Sequence, residues 1–311
     1  MPESLPTEKR LMPLLIPKDM PPFPEIAFIG AGRLASGLAM ALSVRGIPVL
    51  AVASRSTGSA RSLAARSPGC RVMEAQQAVD AANLVFVTVP DDAIAGIAAQ
   101  LHWRAGMAVV HCSGATELDA LAPVAAAGAR VGGFHPLQTF TDPEAALASL
   151  SGCTISVEAE PPLLDTLQQL AAAIGCRSIR LPAGCRARYH ASGGYASQFV
   201  NVLLREATDI WKTFGISEAD AVSALLPLLK GTIASIESAG VAQGMPGPVS
   251  RGDVGTVKRH VEGLAEIRNA AGDEALDLYC ELARRTIALA VERGSLGADK
   301  AEELRKILTQ G

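Results

Sequence analysis

The sequence predicts an α/β domain with a doubly wound parallel sheet, followed by an all-α domain, and three observations carry this prediction. Before about residue 181, short apolar runs recur at helix-length intervals, as expected of parallel strands buried on both faces. From Arg186 onward, apolar residues recur at the 3.6-residue spacing of helices. Aromatic residues form only 4% of the chain, against 29 glycines, which disfavours an all-β sandwich.

The length of 311 residues exceeds what one hydrophobic core usually serves, so two domains are expected. We place the α/β domain at residues 25–182 and the helical domain at 183–311. The proline-rich residues 1–24 are predicted to form a flexible arm.

The first domain begins with an apolar run, Ile26–Ile29, that ends in Gly30 and is followed by a helical pattern to about Val44. A second run, Val49–Ala53, and a further helix complete a βαβ unit. More strands are predicted at Leu84–Val89, Met107–Val110, Arg130–Gly133 and Thr154–Val157. In the second domain, helices are predicted over 186–214 and near 217–239, 253–270, 273–293 and 298–309, with a loop at 240–250.

Charge and cysteine usage exclude several classes of protein. The chain is 49% hydrophobic, which is too apolar for disorder, and its net charge of −3 provides no basic field for nucleic acid or an anionic membrane. No charge-free window reaches the ~18 residues of a membrane helix. The six cysteines show no zinc-site spacing, so we expect free thiols, a cytoplasmic location and no metal.

The segment Gly30-Ala31-Gly32-Arg33-Leu34-Ala35 matches the G-x-G-x-x-A fingerprint of a Rossmann dinucleotide site, between a predicted strand and a helix. Gly30 permits the tight turn, Gly32 lets a pyrophosphate approach the backbone, and Ala35 keeps helix and strand close. The start of the helix offers free N–H groups to the phosphates.

The end of the second strand indicates which dinucleotide binds. An NAD site normally has Asp or Glu there, whereas this chain has Ser54-Arg55-Ser56. A guanidinium between two hydroxyls suits a 2′-phosphate, so we expect NADP(H); the alternative is a solvated loop arginine.

Two further strand ends belong to the same predicted crevice, because ligands of open parallel sheets lie outside the carboxyl ends of the strands. Val89 and Pro90 are expected beneath the nicotinamide ribose, and Ser113 and Gly114 are expected near the nicotinamide. Asp92 either joins this site or caps the helix that begins at Ala93.

These motifs, with Gly133-Phe134-His135-Pro136-Leu137-Gln138, Tyr189-His190-Ala191 and Gly247–Asp253, resemble a known lineage over about residues 25–310. It comprises Rossmann-like proteins with a helical C-terminal domain of unknown function, named as NADP-dependent oxidoreductases. They are similar to pyrroline-5-carboxylate reductase, deazaflavin-dependent NADP reductase and the β-hydroxyacid dehydrogenases. The catalytic lysine and asparagine of the last group are replaced here by His190 and Gly194, which argues against their mechanism.

Reduction of a C=O or C=N bond needs a proton donor, and histidine titrates near neutrality. His102 and His260 are expected at the surface, and His111 as a satisfied core histidine. That leaves His135, at a strand end, and His190, where the domains should meet; one is the general acid and the other orients the substrate. The alternative is an interdomain hydrogen-bonded network.

Four polar residues of the helical domain are candidates for binding the substrate. Arg251 is a candidate for holding a substrate carboxylate through two parallel hydrogen bonds. Asp253 either orients Arg251 or caps the next helix. Gln198 and Asn201 lie on an otherwise apolar helix, where Gln198 should share a face with His190.

The sequence therefore predicts an NADP(H)-dependent oxidoreductase that acts on a small carbonyl or imine compound in the interdomain cleft. We expect a homodimer formed through the helical domain. The alternative is an NADP-binding sensor or regulator without turnover.

Overall fold

The computed structural model describes residues 23–140, 147, 149–267 and 274–309. All but the last two residues of the predicted N-terminal arm lie outside this range. The chain divides into two compact units after Tyr195. The predicted boundary near residue 183 lies too early, because the helix at 186–195 belongs to the first unit.

The first unit contains an eight-stranded sheet in the order β3-β2-β1-β4-β5-β6-β7-β8 among the described residues. The strands are β1 Ile26–Ile29, β2 Val49–Ala53, β3 Arg71–Val72, β4 Leu84–Val87, β5 Ala108–His111, β6 Arg130–Pro136, β7 Thr154–Ala159 and β8 Arg177–Arg180. The sheet is doubly wound, as predicted, with the strand order reversing between β1 and β4.

The expectation of parallel strands is wrong at one pair, because β6 and β7 are antiparallel. All other neighbouring strands are parallel. Strands buried on both faces show the same apolar run in either direction, so the sequence pattern alone does not reveal this reversal.

Helices cover both faces of this sheet. They are α1 Arg33–Val44, α2 Thr57–Arg66, α3 Ala75–Asp80, α4 Ile94–Gln100, α5 Ala122–Ala126, α6 Leu163–Ala173 and α7 Arg186–Tyr195. Phe28, Phe86 and Phe134 pack in sequence on one face, with ring centroids 5.2 and 5.5 Å apart. Leu38, Leu63 and Leu167 from α1, α2 and α6 join that core, while α3, α4 and α5 cover the other face.

The second unit is helical, as predicted. Its helices are α8 Gln198–Thr213, α9 Glu218–Ala239, α10 Pro248–Arg251, α11 Val254–Glu266, α12 Glu274–Glu292 and α13 Ala298–Thr309. The core contains residues such as Val257, Leu276, Ile287 and Leu304, from α11, α12 and α13. Among the described residues, α8 and α9 contribute nothing to it.

The predicted continuous helix over 186–214 is wrong. Ser197 has φ −131° and ψ −92°, which is not helical, and it stands at the N-cap of α8. The face that Gln198 was expected to share with His190 therefore does not exist as one helix surface.

Of the described helices, α9 alone is long and apolar enough to cross a membrane, judged by length and composition. Only 6% of its most apolar stretch is buried.

Candidate functional site

The turn after β1 lies where the strand order of the sheet reverses. Gly30 has φ +112°, and a Cβ at this residue would lie 2.5 Å from the carbonyl oxygen of Thr88. The Thr88 hydroxyl, at the end of β4, donates hydrogen bonds to the carbonyls of Ile29 (3.2 Å) and Gly30 (3.0 Å). Only glycine satisfies both this backbone conformation and this close approach.

The start of α1 is open to an anion. Gly32 is the N-cap of α1, and an added Cβ there would meet no atom within 4 Å. No side chain caps the helix, and its first turn contains no acidic residue. A pyrophosphate therefore fits this turn, where the N–H groups and the positive end of the helix dipole remain available.

The other fingerprint residues serve the turn in different ways. Ala35, in the first turn of α1, is fully buried, in agreement with close helix–strand packing. Ala31 is buried and Leu34 is half-buried, whereas the Arg33 guanidinium donates a hydrogen bond to the carbonyl of Phe140 (3.4 Å).

Two serines follow β2, and one of them caps a helix. Ser56 is the N-cap of α2, and its hydroxyl accepts the N–H of Ser59 at 3.2 Å. The Ser54 hydroxyl accepts the N–H of Ser56 at 3.3 Å. Arg55 is exposed between them. The turn thus presents one guanidinium beside a helix N-terminus.

The ends of β4 and β5 are joined by a hydrogen bond between side chains. The Ser113 hydroxyl donates to Asp91 (2.7 Å) and accepts the N–H of Thr116 (2.9 Å). The carboxylate that bonds Ser113 is that of Asp91, which was not among the residues predicted from the sequence. Asp92 is exposed and forms no capping hydrogen bond with α4, so of its two predicted roles the helix cap is wrong.

Two histidines meet above the backbone of Gly114, just after β5. A Cβ at Gly114 would lie 2.9 Å from both Cε1 and Nε2 of His135 and would overlap Cδ2 of His190. The two imidazole centroids are 5.6 Å apart. His135 Nδ1 and the Tyr189 hydroxyl share a hydrogen bond of 2.9 Å. Two candidate acids selected from the sequence are therefore neighbours in the folded chain.

Burial and neighbouring charges determine the charge of the cluster formed by His135, His190 and Tyr189. Burial lowers the pKa of His135 to about 4, the positive charges of His190 and Arg186 contribute further, and Asp91 partly opposes them. His135 is therefore a neutral imidazole at neutral pH. Burial also raises the pKa of Tyr189, which keeps its hydroxyl protonated.

The third histidine of this region, His111 on β5, is fully buried, but within the described part of the chain neither of its ring nitrogens has a hydrogen-bond partner. The expectation of a satisfied core histidine is therefore wrong. Burial lowers its pKa to about 3, and the charges of Arg186 and His135 act in the same direction.

One face of α7 supplies three groups to the cluster. Arg186, Tyr189 and His190 stand at positions i, i+3 and i+4, which share a helix face. Of these three residues, only His190 was predicted from the sequence. The spacing of the other two is visible in the sequence, but their contacts with strand residues are not.

The four candidate substrate-binding residues lie in the second unit, where one caps a helix and the others are exposed. Asp253 caps α11, because its carboxylate accepts the N–H of Thr256 at 3.0 Å. Arg251 is exposed at the end of α10. Gln198 and Asn201 lie in the first turn of α8 and are exposed. Their role in binding a substrate stays a prediction.

Within the described chain, no group of three or more His, Cys, Asp or Glu side chains is arranged to hold a metal ion. None of the six cysteines forms a disulfide bond.

Two family models match successive parts of the chain. Residues 19–136 match the Rossmann-like domain family, and residues 153–286 match DUF2520, a domain of unknown function. This pairing agrees with the resemblance found in the sequence motifs. No curated protein matches the chain in sequence.

Several solved structures share the architecture. Protein TM1727 from Thermotoga maritima is 25% identical with a TM-score of 0.68, over 86% of this chain and 99% of that one. An imine reductase from Pseudomonas sp. is 20% identical with a TM-score of 0.61, over 92% and 99% of the two chains. The reductive aminase of Aspergillus terreus, in complex with NADPH and ethyl levulinate, is 16% identical with a TM-score of 0.62, over 91% and 99%.

Proposed function

Because the chain joins a Rossmann-like domain to a DUF2520 domain, we propose that it is an NADP(H)-dependent oxidoreductase that transfers a hydride to or from a small carbonyl or imine compound. The observation that carries this proposal is the His135–His190 pair above Gly114. It lies at the carboxyl edge of the sheet that also holds the fingerprint turn, where ligands of such sheets bind. The named reductases among the structural neighbours support the same reaction class.

The cofactor site is proposed from the two turns described above. The open N-terminus of α1 at Gly32 would hold the pyrophosphate, and Arg55 would hold the 2′-phosphate. Val89, Pro90 and Gly114 would line the remainder of the site, with the Ser113 hydroxyl occupied in holding the turn. When bound, NADPH supplies the hydride.

The two histidines have different proposed roles. His135 is neutral at pH 7, because burial holds its pKa near 4. We therefore assign proton donation to His190, and we assign His135, held through Nδ1 by Tyr189, to orienting the substrate. Arg251 is the proposed contact for a substrate carboxylate.

Replacement of Arg55 tests the choice of cofactor. Arg55→Ala should weaken NADPH binding by about 1.5–3 kcal/mol, or roughly 10- to 150-fold, because a charge-assisted phosphate contact is lost. NADH binding should change by less than about twofold. Titration of cofactor fluorescence measures both affinities, with Arg61→Ala on α2 as the matched control. Equal affinity of the wild type for NADH and NADPH would contradict the assignment.

Turnover is tested by oxidation of NADPH in the presence of 1-pyrroline, pyruvate and a deazaflavin. Consumption of NADPH with one of them supports the reductase and identifies the substrate class. Tight NADPH binding without turnover on this panel favours the sensor instead.

A homodimer through the helical unit is also proposed. The α8–α9 pair takes no part in the described core of that unit, and α9 exposes Leu226 (38%), Leu228 (65%), Ile233 (49%) and Ile236 (40%). Monomeric soluble proteins rarely leave this much apolar surface uncovered on one helix. We assign it to a second copy of the chain rather than to a membrane. We also propose a cytoplasmic location, because none of the six cysteines forms a disulfide bond.

Light scattering after size exclusion tests this dimer. Leu228→Glu should convert the dimer into a monomer, because it buries a charge in an apolar interface. Val44→Glu, at a similarly exposed residue (62%) of α1, should leave the mass unchanged. A wild type that stays monomeric at all concentrations contradicts the proposal.

A further inference from the structure

Arg186, the first residue of α7, is fully buried although it carries a charge. Its Nε donates to a carboxylate oxygen of Glu158 on β7 at 2.6 Å. Its Nη1 donates to the backbone carbonyl of Ser113 at 2.8 Å. Its backbone N–H donates to Glu117 at 3.0 Å. One residue therefore connects α7, β7 and the turn that follows β5.

The guanidinium occupies the space that a side chain at Gly133 would fill. In the sheet, Gly133 on β6 lies between His111 on β5 and Glu158 on β7. A Cβ at Gly133 would lie 2.5 Å from Cζ of Arg186 and would overlap Nη2. The guanidinium is held at Nε and Nη1 and has no exposed surface, so a side chain at Gly133 would have to displace it from these hydrogen bonds.

Stability alone does not account for this arrangement. Nη2 is buried and has no hydrogen-bond partner among the described residues, and a buried N–H without an acceptor is destabilising. Replacing a buried ion pair with apolar side chains often preserves or increases stability. The guanidinium instead fixes the position of the Ser113 carbonyl relative to α7.

We propose that Arg186 is a positioning residue, which ties the Ser113 carbonyl to Glu158 and so fixes the Gly114 backbone beneath His135 and His190. This rests on the proposed reductase function, because these histidines are the groups proposed to face the substrate. The consequence is that any change that displaces the guanidinium misplaces both histidines and leaves the fingerprint turn at Gly30–Ala35 intact.

Two conservative substitutions displace or remove the guanidinium. Gly133→Ala inserts one methyl group into its space, and Arg186→Lys keeps the charge but cannot reach both acceptors at once. Gly96→Ala on α4 is the matched control, because its added Cβ meets no atom within 4 Å. In Gly133→Ala and Arg186→Lys, kcat should fall about 100-fold, the loss expected for a misplacement of about 1 Å. The KM for NADPH should change by a much smaller factor than kcat, because Gly114 only lines the proposed cofactor site, whereas the turn at Gly30–Ala35 and Arg55 are proposed to hold the phosphates.

A double-mutant cycle separates positioning from a general loss of structure. The background is Arg186→Ala/Glu158→Gln, which removes the guanidinium without leaving a buried carboxylate uncompensated. There Gly133→Ala should have less than a twofold effect on kcat, because nothing remains to be displaced. Losses that multiply instead would overturn the proposal.

A readout without substrate keeps this proposal separate from the proposed function. The imidazole C–H resonances of His135 and His190 should shift in Gly133→Ala and in Arg186→Lys, while those of the exposed His102 and His260 stay in place. If the wild type binds NADPH but turns over none of the compounds above, the reductase fails, yet these resonances still test Arg186. Unshifted His135 and His190 resonances in a folded Gly133→Ala protein overturn the proposal.

Discussion

Acidification from pH 7 to pH 4 should lower the free energy of unfolding, and His111→Leu should remove about 3 kcal/mol of that loss. His111 is fully buried, and its pKa of about 3 lies well below the ordinary 6.5. The unfolded chain therefore binds a proton as the pH falls below about 6.5, whereas the folded chain does so only near pH 3. The stability tied to this group is fully present above pH 6.5 and is lost as the pH falls toward 3.

Urea unfolding at pH 7, 6, 5 and 4 measures the effect. At pH 7, His111→Leu should be close to neutral in stability, because neither ring nitrogen forms a hydrogen bond with any described residue. Carboxylates also contribute to acid unfolding, so the quantity of interest is the difference in slope between variant and wild type. The exposed His260→Leu serves as control and should keep the wild-type slope. A His111→Leu protein with that same slope would show that His111 is charged when folded.

His190→Gln should lower kcat by about 10²- to 10⁴-fold, which is the usual contribution of a positioned general acid. Glutamine retains a donor and a similar size but cannot release a proton. The loss should persist across the pH range measured, because glutamine has no proton to release at any pH. NADPH affinity should change much less than kcat, because the fingerprint turn and Arg55, which are proposed to hold the phosphates, belong to other elements than His190.

The experiment uses whichever panel compound the wild type reduces, with kcat measured from pH 5 to pH 9. His102→Gln, at an exposed histidine outside the cluster, is the control and should behave as wild type. A His190→Gln protein with wild-type kcat would exclude His190 as the acid. Tyr189→Phe would then test the remaining protonated donor beside His135.

The sequence predicted the parts of the fold that depend on local pattern. The strands near Ile26–Ile29 and Val49–Ala53 have strong apolar runs, and the glycine turn has a defined spacing, so both were found at their observed places. The short strand Arg71–Val72 and the exposed strand Arg177–Arg180 lack such runs and were missed. The break at Ser197 was missed because apolar periodicity continues across it.

The site was harder to predict, because its contacts join residues that are distant in sequence. His135 and His190 were selected for their chemistry, and the structure brings them together over Gly114. Arg186 was overlooked, because a charged residue at a helix start normally indicates a solvated position. Its burial depends on Gly133 and Glu158, which lie on two strands whose antiparallel pairing the sequence did not reveal.

The space shared by Gly133 and Arg186 also constrains how this lineage diverges. A methyl group at position 133 and a guanidinium at position 186 exclude each other, so residue 133 is not free to change while Arg186 is present. Homologous chains should therefore have glycine at position 133 wherever position 186 is arginine. Correlated substitution of this pair among homologues would record, over evolutionary time, the same steric exclusion that the variants test in one protein.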